Sequence, residues 1–300
     1  MPEVSVVLAT CDRPKLLVRA LGSVLQQTDV DFEVILVDSN HDCDPVKDNP
    51  LVADLLADPR VVLVRPEPRP YSAATARNAG LALVRGEWVS YLDDDDEYLP
   101  GRLAQPLARA QQDGAAVVLC GYWFQWPRRR RLRQCDATWF EGDELLTRAR
   151  LITSMIMHRH DPALRFNERI LTAEDRVLML EFCNRHAVTR VPCVAEPLVV
   201  MHLSEVSVHK NKEAAWQSYL VALRLARRGA FSRRARRALL VLGNIERAMA
   251  GYGSFRRYLG LLAEQVRLRG LGQWRFVIYA LLTRLKAREQ RTHYGSPRTT

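Results

Sequence analysis

Apolar residues in the first hundred positions form four short, continuous runs that alternate with helical patterns. The runs extend from Glu3 to Ala9, from Phe32 to Asp38, from Arg60 to Arg65 and from Glu87 to Leu92. Strands that are apolar throughout are typical of a parallel sheet covered on both faces. This part of the chain therefore predicts an α/β fold in which a mostly parallel sheet is flanked by helices.

Two helices are predicted between these strands. The first follows the segment TCDRP, where Thr10 or Asp12 can cap a helix and Pro14 fits its first turn. The second covers Ser72 to Val84, a segment rich in alanine. Helices in these positions are the connections that parallel strands need.

The pattern changes after residue 115. Further strands are expected over residues 115–126, 152–158 and 194–202, and a helix over 172–183. From about Ala214 to about Arg291 the sequence is rich in Arg, Leu and Ala and has a helical pattern. We expect one domain over 1–210, with halves 1–100 and 101–210, and then a basic helical extension over 211–300.

Polar residues follow three of the predicted strands at the point where each strand ends. They are Thr10 to Arg13, Asp38, and the run from Asp93 to Asp96. In open parallel sheets, ligands bind in the crevice beyond the carboxyl ends of the strands. These side chains are therefore expected to converge on one crevice.

The run YLDDDDEYLP places four carboxylates on adjacent positions. Successive strand residues point to opposite faces, so Asp93 and Asp95 can share one side. A hard divalent ion, Mg²⁺ or Mn²⁺, suits one or two carboxylates combined with substrate phosphates. The alternative is that these acidic residues favour the N-terminus of the next helix, for which one aspartate would be enough.

The composition and charge of the chain limit the classes of protein to which it can belong. The net charge is +10, but from residue 221 onward there are 18 Lys and Arg against 3 Asp and Glu, so the basic character belongs to the C-terminal third. No apolar run approaches 18 residues, and the first residues are not typical of a secretory signal. Six scattered cysteines make a zinc site or disulfide framework unexpected. A cytoplasmic location is therefore expected, with the inner face of the membrane as a further option.

Six segments, in this order, resemble those of the family 2 glycosyltransferases. They are VSVVLATCDRP (Val4 to Pro14), SVLQQT (Ser23 to Thr28), FEVILVD (Phe32 to Asp38), ARNAG (Ala76 to Gly80), YLDDDDEYLP (Tyr91 to Pro100) and AEDR (Ala173 to Arg176). The resemblance covers Val4 to about His209, roughly two-thirds of the chain. It implies the GT-A fold for nucleotide-diphospho-sugar transferases, and inversion at the anomeric carbon. Residues 1–210 would then be the catalytic domain, with a nucleotide-binding half over 1–100 and an acceptor half over 101–210.

The resemblance also implies a donor site. Asp38 would contact the nucleotide base, helped by a loop that contains Ala9, Thr10 and Arg13. Arg77 would lie near the nucleotide and its phosphates; the alternative is an ordinary arginine on a helix surface. The chain departs from the family at DSNH, where a second acidic residue usually follows the strand.

Roles for the acidic residues follow from the same resemblance. Asp93 and Asp94 would approach the ribose and the donor sugar, and Asp95, with Asp93, would ligate the metal. His202 would complete the metal shell, although many family members carry a Tyr-Arg pair at positions 201 and 202. Asp96 would support the metal site from behind or cap the following helix.

A general base is implied by the Glu-Asp pair. Asp175 is the candidate, with Glu174 as the second choice. The alternative is that the two carboxylates serve the dipole of a helix capped by Thr172. Both can hold, since a base at a helix N-terminus can still face the crevice.

The predicted function is a metal-dependent inverting glycosyltransferase. It would use Mn²⁺ or Mg²⁺ and move a sugar from a nucleotide-diphosphate donor, expected to be UDP-linked, to a hydroxyl of a glycan, a lipid-linked glycan or a natural product. A magnesium-dependent nucleotidyltransferase or phosphotransferase is an alternative, but it predicts a Gly-rich phosphate loop that TCDRP lacks. A non-catalytic nucleotide-sugar-binding module predicts loss of an aspartate or of the Glu-Asp pair, and both are present.

Two basic segments suggest further partners. PRRRRLR (Pro127 to Arg133) is expected on a hairpin, where it would receive an anionic acceptor or form a solvated loop. Trp274 to Arg291 reads as a basic amphipathic helix that either lies at a membrane interface or packs on protein. No nucleic-acid partner is expected, because no recognised fold or aromatic platform accompanies the charge. Homo-oligomerisation is left open.

Overall fold

A computed structural model gives the structure of the protein. It describes residues 1–40, 45–126, 129–133, 138–147, 151–170, 173–202, 212–228, 231–249, 259–264 and 267. The strands are β1 (Val4–Thr10), β2 (Phe32–Asp38), β3 (Val61–Val64), β4 (Trp88–Asp93), β5 (Glu97–Tyr98), β6 (Val117–Trp126), β7 (Arg129–Arg133), β8 (Trp139–Glu141), β9 (Ile156–Arg159) and β10 (Arg190–His202). The helices are α1 (Pro14–Leu25), α2 (Ala53–Leu56), α3 (Ala73–Leu81), α4 (Ala104–Asp113), α5 (Gly142–Thr147), α6 (Glu174–Arg185), α7 (Lys212–Arg228) and α8 (Arg233–Met249).

The strands form one mixed sheet in the order β3-β2-β1-β4-β9-β6-β10-β5. β1 runs parallel to β2 and β4, and β3 runs parallel to β2, which confirms the predicted parallel half. β9 is antiparallel to both β4 and β6, and β10 is parallel to β6. β1, β2, β4, β6 and β10 consequently end at the same edge of the sheet, and the fold is α/β as predicted.

The central strands are buried on both faces. Val4, Val6, Val7 and Leu8 of β1 have no exposed surface, which is why this strand is apolar throughout. α3 packs directly against the sheet at Gly80, where a β-carbon would lie 2.5 Å from Val7 Cγ1. The glycine in the last turn of this helix is therefore explained by close packing against β1.

The predicted cap of α1 is wrong, and Thr172, the predicted cap of α6, lies outside the described residues. The residue before α1 is Arg13, with no side-chain cap, although Pro14 does occupy the first turn. Thr10 does not cap the helix because its hydroxyl donates instead to Asp94. α6 begins after Ala173, a left-handed residue with φ 57° that provides no side-chain cap.

The expected strand over residues 152–158 begins with a 3-10 turn, Thr153–Met155, before β9 starts. The turn is held by Arg102, a fully buried arginine, whose guanidinium donates to Ser154 O at 2.9 Å and Ile156 O at 3.1 Å. Local sequence favours a strand here, but this contact with a residue about fifty positions away determines the backbone conformation.

The first part of the C-terminal extension shares a core with the helix that carries the Glu-Asp pair. This second core consists of Ile170, Val177, Leu180, Tyr219, Ala222, Leu223, Ala226, Phe231, Ala235 and Leu239. α7 therefore packs on α6, and α8 packs on α7 and on α5. The boundary at residue 210 stays a prediction, and the amphipathic segment Trp274 to Arg291 lies outside the described residues, as does His209.

Three further expectations can be compared with the structure. β6 and β7 pair in antiparallel register, so the predicted hairpin at the basic run is confirmed. Within the described part of the chain, no helix is long and apolar enough to cross a membrane. Among the described cysteines Cys193 is disulfide-bonded, whereas Cys11, Cys120 and Cys183 are free, which is no disulfide framework but includes one bond that the sequence analysis did not predict. Cysteine spacing along the chain gives no information about which thiols the fold brings together.

Candidate active site

The carboxyl ends of β1, β2 and β4 meet at one edge of the sheet. Thr10 lies opposite Asp38 in the register of β1 and β2, and Ala9 lies opposite Asp93 in that of β1 and β4. His202, the last residue of β10, donates its backbone N–H to Asp96 over 3.3 Å. The convergence expected from the sequence is therefore present.

The acidic run alternates between open and closed positions. The side chains of Asp93 and Asp95 are 35% and 30% exposed, whereas that of Asp94 is fully buried. Asp96 is buried as well. Asp93, the last residue of β4, and Asp95, in the turn that follows, are thus both open to solvent, and that they share one side stays a prediction.

Asp94 fastens the loop after β1 rather than facing the crevice. Its Oδ2 accepts hydrogen bonds from Thr10 Oγ1 at 2.8 Å and from the Cys11 N–H at 3.3 Å. Arg13 forms ion pairs with Asp94 at 2.5 Å and with Asp95 at 2.9 Å. Burial raises the pKa of Asp94 to about 6, against the lowering effects of Arg13 and Thr10. The predicted contact of Asp94 with the donor does not fit this arrangement, because its side chain is closed off from solvent.

Asp96 is held from below the acidic run. Ser154 Oγ donates to Asp96 Oδ2 at 2.8 Å, from the 3-10 turn that precedes β9. Burial, and then the charges of Asp93 and Asp95, raise the pKa of Asp96 well above its usual value. Asp96 does not cap the next helix, because the residue before α4 is Leu103. Of the two predicted roles of Asp96, support of the metal site from behind is the one that fits. The sequence analysis did not identify Ser154, because no local sequence signal points to it.

His202 lies beside the acidic run, as predicted. Its Nε2 is 3.3 Å from Glu97 Oε2, and burial lowers the pKa of its imidazole. Across the described residues, no group of three or more His, Cys, Asp or Glu side chains is arranged as a complete metal site. Two part-exposed carboxylates, Asp93 and Asp95, nevertheless fit Mg²⁺ or Mn²⁺, which commonly bind through one or two protein carboxylates, with water and substrate phosphates as the remaining ligands.

Arg77 connects the acidic run to the Glu-Asp pair. Its guanidinium forms an ion pair with Asp93 of β4 and another with Glu174 of α6, the latter at 2.8 Å. The side chain is only 5% exposed and lies over the ring of Phe166, 5.3 Å from the ring centre. The alternative of an ordinary surface arginine is therefore wrong, and both free ends of its planar fork are occupied by carboxylates.

The Glu-Asp pair opens α6 at the same edge. Asp175 is half-buried, and burial followed by the neighbouring Glu174 carboxylate raises its pKa to about 7, against Arg176 and Arg77. A carboxylate with such a pKa is matched to proton transfer near neutral pH. Arg176 lies over the ring of Tyr219 in α7, 4.8 Å from its centre, so α7 supports the start of α6.

The carboxylate of Asp38 is hydrogen-bonded and ion-paired to other groups of the protein. It is 1% exposed and accepts hydrogen bonds from the N–H groups of Asn40 and Val46 at 2.9 and 3.0 Å. It also forms an ion pair with Arg65 at 2.8 Å. Asn40 Oδ1 in turn accepts from the Asp12 N–H at 2.7 Å, which ties the loops after β1 and β2 together. The predicted contact of Asp38 with a nucleotide base stays a prediction, and Asn40 and Arg65 are neighbours that the sequence analysis missed.

A model of the family described as Glycosyl transferase family 2 matches residues 5–169, more than half of the chain. The chain belongs to glycosyltransferase family 2. It is 29% identical over 292 residues to the succinoglycan biosynthesis protein ExoO of Rhizobium meliloti, covering 90% of this chain and 79% of ExoO. It is 33% identical over 118 residues to the GalNAc(5)-diNAcBac-PP-undecaprenol beta-1,3-glucosyltransferase of Campylobacter jejuni, covering 39% of this chain and 37% of that enzyme.

Solved structures of glycosyltransferases have the same fold. S. aureus TarS 1-349 in complex with UDP-GlcNAc has a TM-score of 0.67 at 14% identity, covering 98% of this chain and 93% of that one. The mannosyltransferase PcManGT of Pyrobaculum calidifontis, in complex with GDP-Man and Mn²⁺, has a TM-score of 0.59 at 16% identity, covering 97% and 88%. The family 2 protein is thus a glycosyltransferase with the GT-A fold that the sequence predicted.

Proposed function

We propose that the protein is a metal-dependent inverting glycosyltransferase that moves a sugar from a nucleotide-diphosphate donor, UDP-linked, to a hydroxyl acceptor on a glycan, a lipid-linked glycan or a natural product. One observation carries the proposal: Arg77 joins Asp93 of the acidic run to Glu174 of the Glu-Asp pair. Donor-side and acceptor-side carboxylates therefore line one crevice. TarS with UDP-GlcNAc and PcManGT with GDP-Man and Mn²⁺ support a nucleotide-sugar donor and a divalent ion.

In the proposed mechanism the two open aspartates hold the donor end. Asp95 and Asp93 would hold Mn²⁺ or Mg²⁺, with His202 as a neighbour, and a bound ion would supply positive charge against the charge that develops on the leaving pyrophosphate. Ala9 and Thr10 end β1 and Arg13 lies in the loop that follows, and these three residues would border the nucleotide. Asp94 and Asp38 hold these loops through their hydrogen bonds, and they would thereby help to fix the shape of the donor pocket.

On the acceptor side, Asp175 takes the proton of the attacking hydroxyl. The hydroxyl oxygen forms a bond to the anomeric carbon from the face opposite the pyrophosphate, and the bond to the pyrophosphate oxygen breaks with its electron pair. Arg77 holds Glu174 in an ion pair. A carboxylate fixed in this way leaves Asp175 as the residue of the pair available to act as the base.

Donor hydrolysis tests the proposed function directly. A panel of nucleotide sugars is incubated with the protein in Mn²⁺, Mg²⁺ or EDTA, and the released nucleoside diphosphate is measured. We expect one donor to be consumed, only with metal, and Asp95→Ala to lose most of this activity because it removes a ligand on the open side of the run. The matched control is Asp113→Ala, an aspartate paired with Arg109 on α4. Release of pyrophosphate or transfer of a nucleotidyl group would favour the nucleotidyltransferase alternative, and metal-dependent binding without turnover by any acceptor would favour the non-catalytic module.

The pH profile of transfer is expected to rise through about pH 7. Burial and the Glu174 carboxylate raise the pKa of Asp175 to about 7, so the base is protonated and inactive below that value and ionised above it. The rate should fall about tenfold per pH unit on the acid side and level off above pH 8. The residual activity of Asp175→Asn, measured over the same range, should lack this step. An acid limb that persists unchanged in the variant would assign it to another group.

A further inference from the structure

The turn between α7 and α8 has a dense positive charge. Residues 221–241 contain seven arginines and no Asp or Glu. Arg224, Arg227 and Arg228 are exposed on α7, and Arg233 is exposed at the start of α8. We call these four residues the basic turn surface. Nearby Arg237 is also exposed but is paired with Glu264 at 2.6 Å.

The basic turn surface is held rigidly outward. The opposite face of α7, with Ala222, Leu223 and Ala226, is buried in the second core against α6. At the turn, the Ser232 N–H donates to Asp143 Oδ1 of α5 at 2.8 Å. Asn184 of α6 donates to the carbonyl of Leu225 at 3.0 Å. The arginines therefore face solvent because their helices are fixed by packing on the other side.

The surface is separate from the candidate active site. Tyr219 of α7 packs over Arg176 at the start of α6, whereas Leu225 contacts Asn184 near its end. α7 consequently runs alongside α6 in the same direction, and the basic turn lies near the far end of a 12-residue helix. At 1.5 Å per residue that is about 18 Å from the Glu-Asp pair. The charge is thus too distant to bind the donor's pyrophosphate.

We propose that the basic turn surface docks the protein onto the anionic surface of a lipid bilayer. Clustered arginines are attracted to anionic headgroups, and each contributes about 1 kcal/mol, or about a fivefold increase in partitioning. Four of them together correspond to an increase on the order of several hundredfold. The site is distinct from the crevice, so the inference does not depend on the proposed transferase chemistry.

A lipid surface fits this patch better than a nucleic acid. Single-stranded nucleic acids are bound by arginines together with exposed aromatic rings on which bases stack. Phe231, the aromatic residue of the turn, is only 8% exposed and belongs to the second core. The four residues of the basic turn surface supply positive charge without an aromatic ring, and positive charge is sufficient for attraction to an anionic bilayer.

Vesicle sedimentation tests the inference with the full chain. Wild type is incubated with vesicles of phosphatidylcholine, with or without phosphatidylglycerol, at low and at physiological salt. We expect binding only when phosphatidylglycerol is present, weakened by salt. The variant Arg224→Gln/Arg227→Gln/Arg228→Gln/Arg233→Gln should lose at least tenfold in partitioning. These residues are exposed, so circular dichroism and the thermal midpoint should match wild type.

A second variant removes the same charge elsewhere on the surface: Lys15→Gln/Lys47→Gln/Arg159→Gln/Arg169→Gln, four exposed cations on other elements. It should retain the binding of wild type. Equal loss in both variants would show a response to net charge and would overturn the proposed site, as would absence of wild-type binding or binding to phosphatidylcholine alone. A loss of binding to a single-stranded oligonucleotide in the first variant, with vesicle binding unchanged, would assign the surface to nucleic acid instead.

Discussion

Replacing Asp175 by asparagine should lower kcat for sugar transfer by about 10²- to 10⁴-fold, the range associated with a positioned general base. Asparagine keeps the shape of the side chain but cannot accept the proton of the acceptor hydroxyl. Asp175 is the second residue of α6 and belongs to a different element from the loop after β1, which we expect to border the donor. The affinity for the nucleoside diphosphate should therefore stay within about threefold of wild type. Steady-state kinetics and calorimetric titration with the nucleoside diphosphate measure the two quantities.

Glu174→Gln is the matched control for this experiment. Glutamine removes the charge that pairs with Arg77 but leaves Asp175 in place, so kcat should fall less than in Asp175→Asn. If Glu174→Gln removed the activity and Asp175→Asn did not, the base would be Glu174, the second choice from the sequence. A loss of nucleoside diphosphate affinity in Asp175→Asn equal to its loss of kcat would place Asp175 at the donor instead.

Replacing Arg77 by methionine should destabilise the fold by about 3–5 kcal/mol, because the change breaks a buried ion pair and leaves Asp93 and Glu174 without their shared cation. Urea unfolding, followed by circular dichroism, measures the loss. Activity should fall as well, since both carboxylates lose their fixed positions. Arg77→Lys should recover part of the stability, because one ammonium supplies the charge but cannot form the two-sided fork.

Arg159→Met is the surface control for this comparison. Arg159 pairs with Glu87 at 2.9 Å with both side chains more than half exposed, so its loss should cost less than about 1 kcal/mol. If Arg77→Met were as stable as Arg159→Met and lost only nucleotide affinity, Arg77 would be a phosphate-binding residue, as the sequence resemblance implied. The structure favours the bridging role because both ends of the guanidinium already contact carboxylates.

Local pattern was sufficient for the parallel half of the fold. β2 has the predicted bounds, Phe32–Asp38, because every one of its residues is buried and the run is apolar apart from Glu33 and the final aspartate. The same reasoning placed the acidic run at the end of β4, where Asp93 and Asp95 are the two part-exposed aspartates. In these segments, burial and strand periodicity act over neighbouring residues, which is the information that a sequence contains directly.

Local sequence patterns could not predict which side chains pair with one another in the site. Arg77 and Glu174 are 97 positions apart, and Ser154 and Asp96 are 58 positions apart. Thr10 shows the same limit: its position predicts a helix cap, but a long-range hydrogen bond to Asp94 uses its hydroxyl instead. Which polar groups become buried together depends on the packing of whole elements, so the sequence predicted which residues reach the crevice but not how they pair.

The anomeric configuration of the product tests the central claim most directly. Once the donor is known, proton NMR can follow the sugar first released from an α-linked nucleotide sugar, before mutarotation mixes the anomers. Attack from the face opposite the pyrophosphate, with Asp175 as the base, predicts that the β anomer appears first. Initial release of the α anomer would show retention of configuration and would contradict a single displacement assisted by the Glu-Asp pair.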